Sequence, residues 1–288
     1  MSWENEVKEI RKREKLIQEM GGKEKIKRQY DAGRTTVRER IAALVDKDSF
    51  KEIGRLTGLS EYNEDGTLKS LMAVNSVIGH ALINKMPVVI YGDDFTIRGG
   101  AGDAAIYEKM ITAERFANEY RMPLIRIIEG TGGGGSVKSI EKDGYTYVPA
   151  NPGWDWVVSN MATIPVVSLG LGPVAGLGAA RLVSSHYSVI VKKMSQVFVA
   201  GPPVVNRLGE NVTKESLGGS EIHGKNGVID DVAESEADAL ARARKFLSYL
   251  PSSTYETPKK IKNNDPIDRK DNWLISAIPK NRRHSYEI

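Results

Sequence analysis

Apolar residues recur every three to four positions on a charged background near the start of the chain, where Val7, Ile10, Ile17 and Met20 mark one stripe. That spacing, free of proline and interrupted only by Gly21 and Gly22, predicts an exposed or arm-like helix over residues 4–30. A second helix is predicted at Thr36–Val45. Thr36 stands three residues before Glu39, a capping-box spacing, and Val37, Ile41 and Leu44 form the apolar stripe. Asn63–Gly66 reads as a turn. The pattern then changes to short β-rich runs at Leu71–Ile78, Pro87–Tyr91, Met122–Ile128, Ile164–Leu169, Tyr187–Val191 and Val197–Ala200. Helical stretches separate them. The clearest is Asp103–Tyr120, with Ile106, Met110, Ala113 and Ala117 on one side; the last is Glu234–Leu250, acidic in its early turns, basic later and stopped by Pro251. Strands alternating with helices predict an α/β layered domain.

This pattern divides the chain into a helical arm at 1–30, a domain at 31–251 and a linker-like segment at 252–288. The last carries Trp273, Leu274 and Ile275, apolar residues that call for a partner, and a basic tail.

Composition narrows the chemistry. With 288 residues, 40% of them hydrophobic, there is material for one large core. The absence of Cys excludes disulfides, thiolate metal sites and a cysteine nucleophile. No run approaches the roughly 20 apolar residues that span a bilayer, and the first ten residues are charged, so a cytoplasmic location is expected. Residues 1–40 hold 12 Lys/Arg against 8 Asp/Glu, and residues 258–288 hold 8 against 4. The basic start could attract phosphates or form a solvated helix face, since its charges alternate with Glu at helical spacing. The histidines, His80, His186, His223 and His284, lie far apart without ligand spacing, and no metal held by this chain is expected.

Three glycine clusters come after predicted strands. Gly130-Thr131-Gly132-Gly133-Gly134-Gly135-Ser136 comes after Leu124–Ile128 and matches G-x-G-x-x-G, but the polar stretch behind it, broken by Gly144, does not open the helix that a dinucleotide fingerprint needs. A Walker loop fails too, because Ser136 stands where its lysine should be. Gly170–Ala180 comes after Ile164–Leu169 and leads into a small-residue helix. Arg98-Gly99-Gly100-Ala101-Gly102 precedes the helix at Asp103 and serves equally to hold a phosphate or to make a tight turn. Such turns free backbone N–H groups to face a ligand. In a chain with no positioned Ser–His–Asp set, they point to catalysis by backbone donors, as enolate stabilisation from a thioester requires.

From about Tyr30 to Pro251 these residues resemble the carboxyltransferase subunits of acyl-CoA carboxylases and the related decarboxylases and transcarboxylase. Gly33-Arg34-Thr35-Thr36-Val37-Arg38-Glu39-Arg40-Ile41 resembles the family's G-K-L-T-A-R-E-R-I opening, and Asp94-Phe95-Thr96 with Gly99-Gly100 resembles D-F-T-x-x-G-G. Lys109 falls where that family also has lysine. Thr131–Gly134 resembles S-G-G-A, and Gly172-Pro173-Val174-Ala175-Gly176-Leu177 resembles G-P-C-A-G-G. Phe198, Gly201-Pro202 and Val204-Val205, then Leu217-Gly218-Gly219 and His223, match F-x-x-G-P-x-V-V and L-G-G-x-x-x-H.

The resemblance implies a crotonase/ClpP-like spiral of β-β-α units behind the helical arm. It implies acyl-CoA as substrate, enolate stabilisation by the N–H groups of Gly133, Gly134, Gly176 and Leu177, and binding of the CoA part near Arg98, Gly99, Gly100, Ala101, Thr131 and Gly132. Carboxybiotin on a biotin carboxylase or biotin carrier subunit would donate the carboxyl group, so no side-chain base is required. A second carboxyltransferase domain and a homo-oligomer, a trimer of dimers, are also implied, with no nucleic acid and no membrane span. Leu177 stands where the family has glycine, which keeps the N–H but adds a Cβ; Gly135-Ser136 stands where many members have Arg-Ile, and the stretch through Trp154 and Trp156 differs as well, so the substrate preference could differ from propionyl-CoA. Ser285-Tyr286 resembles the start of the second domain, which is the pattern of a truncation or a split subunit. Two rival readings stay open: a crotonase-type decarboxylase or hydratase acting without biotin, for which Glu129 and Glu141 are the nearby acids, and a non-catalytic acyl-CoA-binding assembly module.

Overall fold

A computed structural model describes residues 2–104, 106–130, 141, 144–145, 153–260 and 262–286. The chain divides into two compact units, 1–258 and 259–288.

The first unit is built on one mixed sheet. Its strands are β1 (Lys51–Ile53), β4 (Ser76–Ile83), β5 (Met86–Asp93), β6 (Leu124–Gly130), β7 (Val166–Ala175), β8 (Tyr187–Val191) and β10 (Asp231–Ala233), adjacent in that order, with β9 (Gln196–Phe198) paired to the far end of β7. β1, β4 and β5 are antiparallel, and from β5 onward every pairing is parallel. β2 (Gly58–Tyr62) and β3 (Leu68–Ala73) form a separate hairpin. The parallel strands are buried on both faces, which explains their nearly unbroken apolar runs. One face packs on α3 (Val37–Leu44) and the late helix Glu236–Ser248 through Val37, Ile41, Leu240 and Leu247. The other packs on α4 (Tyr107–Glu119), α5 (Trp154–Thr163) and α6 (Leu177–Val183), through Ala113, Ala117, Ile164 and Leu182.

Expected and observed elements differ at Asn75 and at Gly21–Gly22. Leu71–Ile78 is two strands, because Asn75 breaks the run: its Nδ2 donates to Ala101 O at 2.9 Å and its carbonyl accepts from Asp94 N at 2.9 Å. The capping box at Thr36 and Glu39 is present as expected. The N-terminal segment is not one helix. It is α1 (Glu4–Gln18) and α2 (Lys23–Asp31), parted at Gly21–Gly22. A Cβ on Gly21 would lie 2.0 Å from the Thr96 carbonyl oxygen, and Gly22 has φ 87°, so both positions need glycine. The segment is also docked, with Ile17 buried against Leu71, Ala73 and Ile97.

The second unit, 259–288, holds the short helix Leu274–Ala277, with Trp273, Leu274 and Ile275 exposed.

Candidate functional site

In a parallel sheet, ligand sites form beyond the carboxyl ends of the strands. At the ends of β5, β6 and β7 lie the described residues of the three glycine clusters: the Arg98–Gly102 turn, Gly130, and Gly170–Ala180. Gly130, the last residue of β6, has φ 127°, and a Cβ there would lie 2.8 Å from Gly99 O and 3.0 Å from Gly100 Cα. The turn after β5 thus presses on the end of β6. Gly178 in α6 approaches the same Gly130, whose carbonyl oxygen would be 3.4 Å from an added Cβ. One glycine is therefore where described residues of all three clusters meet; the Gly99–Gly100 turn leaves no room for a side chain on it, whereas Gly178 approaches at ordinary contact distance.

The individual amides are used differently. Gly99 N donates to Phe95 O, Gly100 N to Ile97 O and Ala101 N to Arg98 O, at 3.1–3.2 Å. Arg98, Gly99 and Gly100 all have positive φ. Of the two uses expected for this segment, its amides serve the tight turn. Gly176 (φ 57°, ψ −124°) forms the N-cap of α6, and its N–H donates to Phe198 O at 3.1 Å, tying β7 to β9. The next amides, of Leu177 and Gly178, begin the helix and have no acceptor within it. Thr131, Gly132, Gly133 and Gly134 lie outside the described residues, as does most of the segment to residue 152; Glu141 is described and exposed.

Buried charge frames this end of the sheet. Glu129, just before Gly130, is fully enclosed; it accepts from Gln29 Nε2 at 2.8 Å and from Arg40, and Arg34 Nη1 is 3.2 Å away. On the opposite face Glu114 of α4 holds Arg126 of β6 through two bonds of 2.8 and 2.9 Å, and Arg181 of α6 at 2.8 Å. Burial would raise the Glu114 carboxyl, but the two guanidiniums pull it down to about 2. The Arg181 guanidinium lies 4.4 Å from the centroid of the Tyr91 ring, and the Tyr91 hydroxyl donates to Asp93 Oδ1 at 2.6 Å. Asp93 Oδ2 accepts from the Glu129 amide at 3.2 Å. Burial pushes the Asp93 carboxyl up to about 6 against the opposing effects of Tyr91 and Arg181. Lys109 donates to Ser76 O at 2.9 Å, and burial brings its amine down to about 8.

Sequence reasoning named the glycine turns and Lys109 but passed over Asp93, Glu114, Arg126 and Arg181. One signal was available: Arg126 interrupts Leu124–Ile128, and a charge inside a strand buried on both faces needs a buried partner. Among the described residues, no three of His, Cys, Asp or Glu gather to hold a metal ion. No helix there is long and apolar enough to cross a membrane.

Comparison with known proteins gives this geometry a context. The carboxyl transferase domain family matches residues 28–288. The chain is 30% identical over 274 residues to the methylmalonyl-CoA decarboxylase subunit alpha of Veillonella parvula, covering 93% of this chain and 52% of that one. It is 29% identical over 273 residues to the mitochondrial propionyl-CoA carboxylase beta chain of Homo sapiens, covering 93% and 50%. The chain thus spans about half the length of the curated relatives it matches. Among solved structures, the transcarboxylase 12S hexamer core with methylmalonyl-coenzyme A and methylmalonic acid bound superposes with a TM-score of 0.76 at 25% identity, covering all of this chain and 55% of that one. With these neighbours, the crotonase-like architecture expected from the sequence holds.

Proposed function

Because the chain belongs to the carboxyl transferase domain family, we propose that it forms the acyl-CoA side of a biotin-dependent carboxyl transfer. The observation that carries this reading is the meeting of the three glycine clusters at Gly130, with the amide of Leu177 opening α6 beside them. In this reading the thioester oxygen accepts from Leu177 N–H, and the charge that develops on it as the α-proton leaves is held there by the positive end of the helix. Gly133 and Gly134 are the proposed second pair of donors. Gly176 supplies the turn rather than a donor, since its N–H is engaged by Phe198. The CoA part would run past Thr131, Gly132 and the outer surface of the Arg98–Ala101 turn. Carboxybiotin on a carrier subunit would supply the carboxyl group. A second carboxyltransferase domain or subunit, and a hexameric assembly like that named for transcarboxylase 12S, complete the proposal.

Calorimetric titration with CoA and propionyl-CoA tests it. Leu177→Pro removes one N–H at the first helical position, where proline is well tolerated. Loss of one hydrogen bond is expected to weaken propionyl-CoA binding about 3- to 10-fold with CoA binding little changed. No binding of either ligand by the parent chain would refute the reading.

One observation favours a second reading, enolate chemistry without carboxybiotin. Asp93 is a partly exposed carboxylate at the end of β5, held up to about 6, a value suited to taking up and releasing a proton near neutrality. Exchange of the propionyl-CoA α-proton in heavy water, without biotin, would support it; no exchange in the bound complex would exclude it.

A further inference from the structure

The register between β6 and β7 breaks opposite Glu129. Ile128 pairs with Gly170, but Gly130 pairs with Val174, so Leu171, Gly172 and Pro173 all oppose one residue of β6. Such a bulge bends a strand and re-aims the residues beyond it. Beyond the bulge in β7 come Val174 and Ala175, then Gly176 and Leu177 at the turn into α6. The bulge is filled from below by the Glu129 side chain: a Cβ on Gly172 (φ 156°) would lie 2.6 Å from Glu129 Oε1 and 2.7 Å from its carboxyl carbon. Leu171 O, turned out of the ladder, accepts from Arg40 Nη2 at 2.7 Å, and Arg40 Nη1 holds Glu129. Arg40 Nε is in turn held by Glu236 at 2.9 Å. Gln29 donates to the same oxygen as Arg40, Oε2, while Oε1, which faces Gly172, has the Arg34 guanidinium 3.2 Å away and no hydrogen-bond donor among the described residues.

We propose that Glu129, held by Arg40, is a positioning residue whose carboxylate fills the β7 bulge and thereby sets where the Leu177 amide meets the thioester oxygen. The proposal rests on the acyl-CoA reading of the site. It does not assign Glu129 a proton to move. A buried carboxylate bonded by Arg40 and Gln29 and paired with Arg34 cannot shift without breaking those bonds, so it acts as a fixed stop for the loop. A one-methylene change at either contact should displace Leu177 while leaving the CoA-binding surfaces in place.

The test compares the binding of propionyl-CoA, of a thioether analogue lacking the carbonyl, and of CoA, with a melting curve for every variant. The ratio of propionyl-CoA to thioether affinity reports the oxyanion contact. Gly172→Ala pushes the loop off Glu129 and is expected to reduce that ratio about 3- to 10-fold, the equivalent of one hydrogen bond, with CoA affinity unchanged. Glu129→Asp withdraws the carboxylate by one methylene and is expected to do the same. It keeps the proposal testable should Gly172→Ala not fold. Combining the two restores room under the loop, and the ratio should recover in part. An unchanged ratio in folded single variants, even with lowered melting temperatures, would leave Glu129 a structural group only and overturn the proposal; so would single-variant losses that simply add in the double variant. A parent chain that binds CoA but does not distinguish thioester from thioether would remove the oxyanion role of Leu177 and this proposal with it. Absence of CoA binding altogether would instead refute the acyl-CoA reading itself.

Discussion

At Asp93 burial competes with favourable partners. Its two oxygens accept from the Tyr91 hydroxyl and the Glu129 amide, while Arg181 approaches from α6 and the Glu129 carboxylate opposes it from β6. Burial outweighs the favourable partners, and the carboxyl rises to about 6 from its ordinary 3.8. Between these two values the folded state binds the proton more tightly than the unfolded chain, so Asp93 costs stability progressively as pH rises from about 4 through about 6. Asn resembles the protonated carboxyl. Asp93→Asn should therefore melt at a higher temperature than the parent at pH 7.5, with the difference vanishing near pH 4. After allowance for partial solvent screening the gain is about 1 kcal/mol, or roughly 2–4 °C for a domain of this size. Thermal melts across that pH range decide the point; a difference that grows toward acid would mean that Asp93 is stabilised as an anion.

Among the elements, α4, β6 and α6 are strapped together by charge as well as by apolar packing. Glu114 receives Arg126 and Arg181 and also the Asn160 amide of α5 at 2.9 Å. Glu114→Gln leaves two buried guanidiniums without their anion and is expected to cost about 3–5 kcal/mol, read as a lower denaturant midpoint with an unchanged slope. Because the Glu114 carboxyl is depressed to about 2, its contribution is complete above its ordinary value and is lost as pH falls toward 2. The contrast between this strap and the elements around it shows what could be read from the chain. The strands and α3 were legible because burial on both faces, or a capping box, leaves a local pattern. The break at Asn75, the β7 bulge and the partnership of Glu114 with Arg126 and Arg181 were not, since each depends on contacts between residues distant in sequence. Likewise the glycine clusters are visible in the sequence as a candidate site, but only the folded backbone shows that the amides of Gly99, Gly100, Ala101 and Gly176 are already engaged.

At the scale of the first unit, the beginning and the end of its sequence meet on one face of the sheet, where α3 lies beside the late helix. Thr35 N donates to Glu236 at 3.1 Å, Arg40 binds the same carboxylate, and Arg244 donates to Leu44 O at 2.6 Å, joining α3 to the late helix across some 200 residues. The N-terminal helices reach the loop end independently. Gly21 N donates to Thr96 Oγ1 at 2.9 Å, in the turn that leads to Gly99 and Gly100, and Gln29 binds Glu129. What had the pattern of an exposed arm is thereby coupled to the site through Ile17, the residue that seats α1 on β3. Truncation to Ala should cost about 2–5 kcal/mol for a buried aliphatic side chain, lowering the melting temperature by roughly 4–20 °C. Because the other contacts of α1 are mostly polar and near the surface, native-state hydrogen exchange should show the loss first in α1 and in the turn at Thr96, with β5 to β8 still protected. Uniform loss of protection across the sheet would instead make the N-terminal helices part of the cooperative core, and a change confined to α1 would uncouple them from the site.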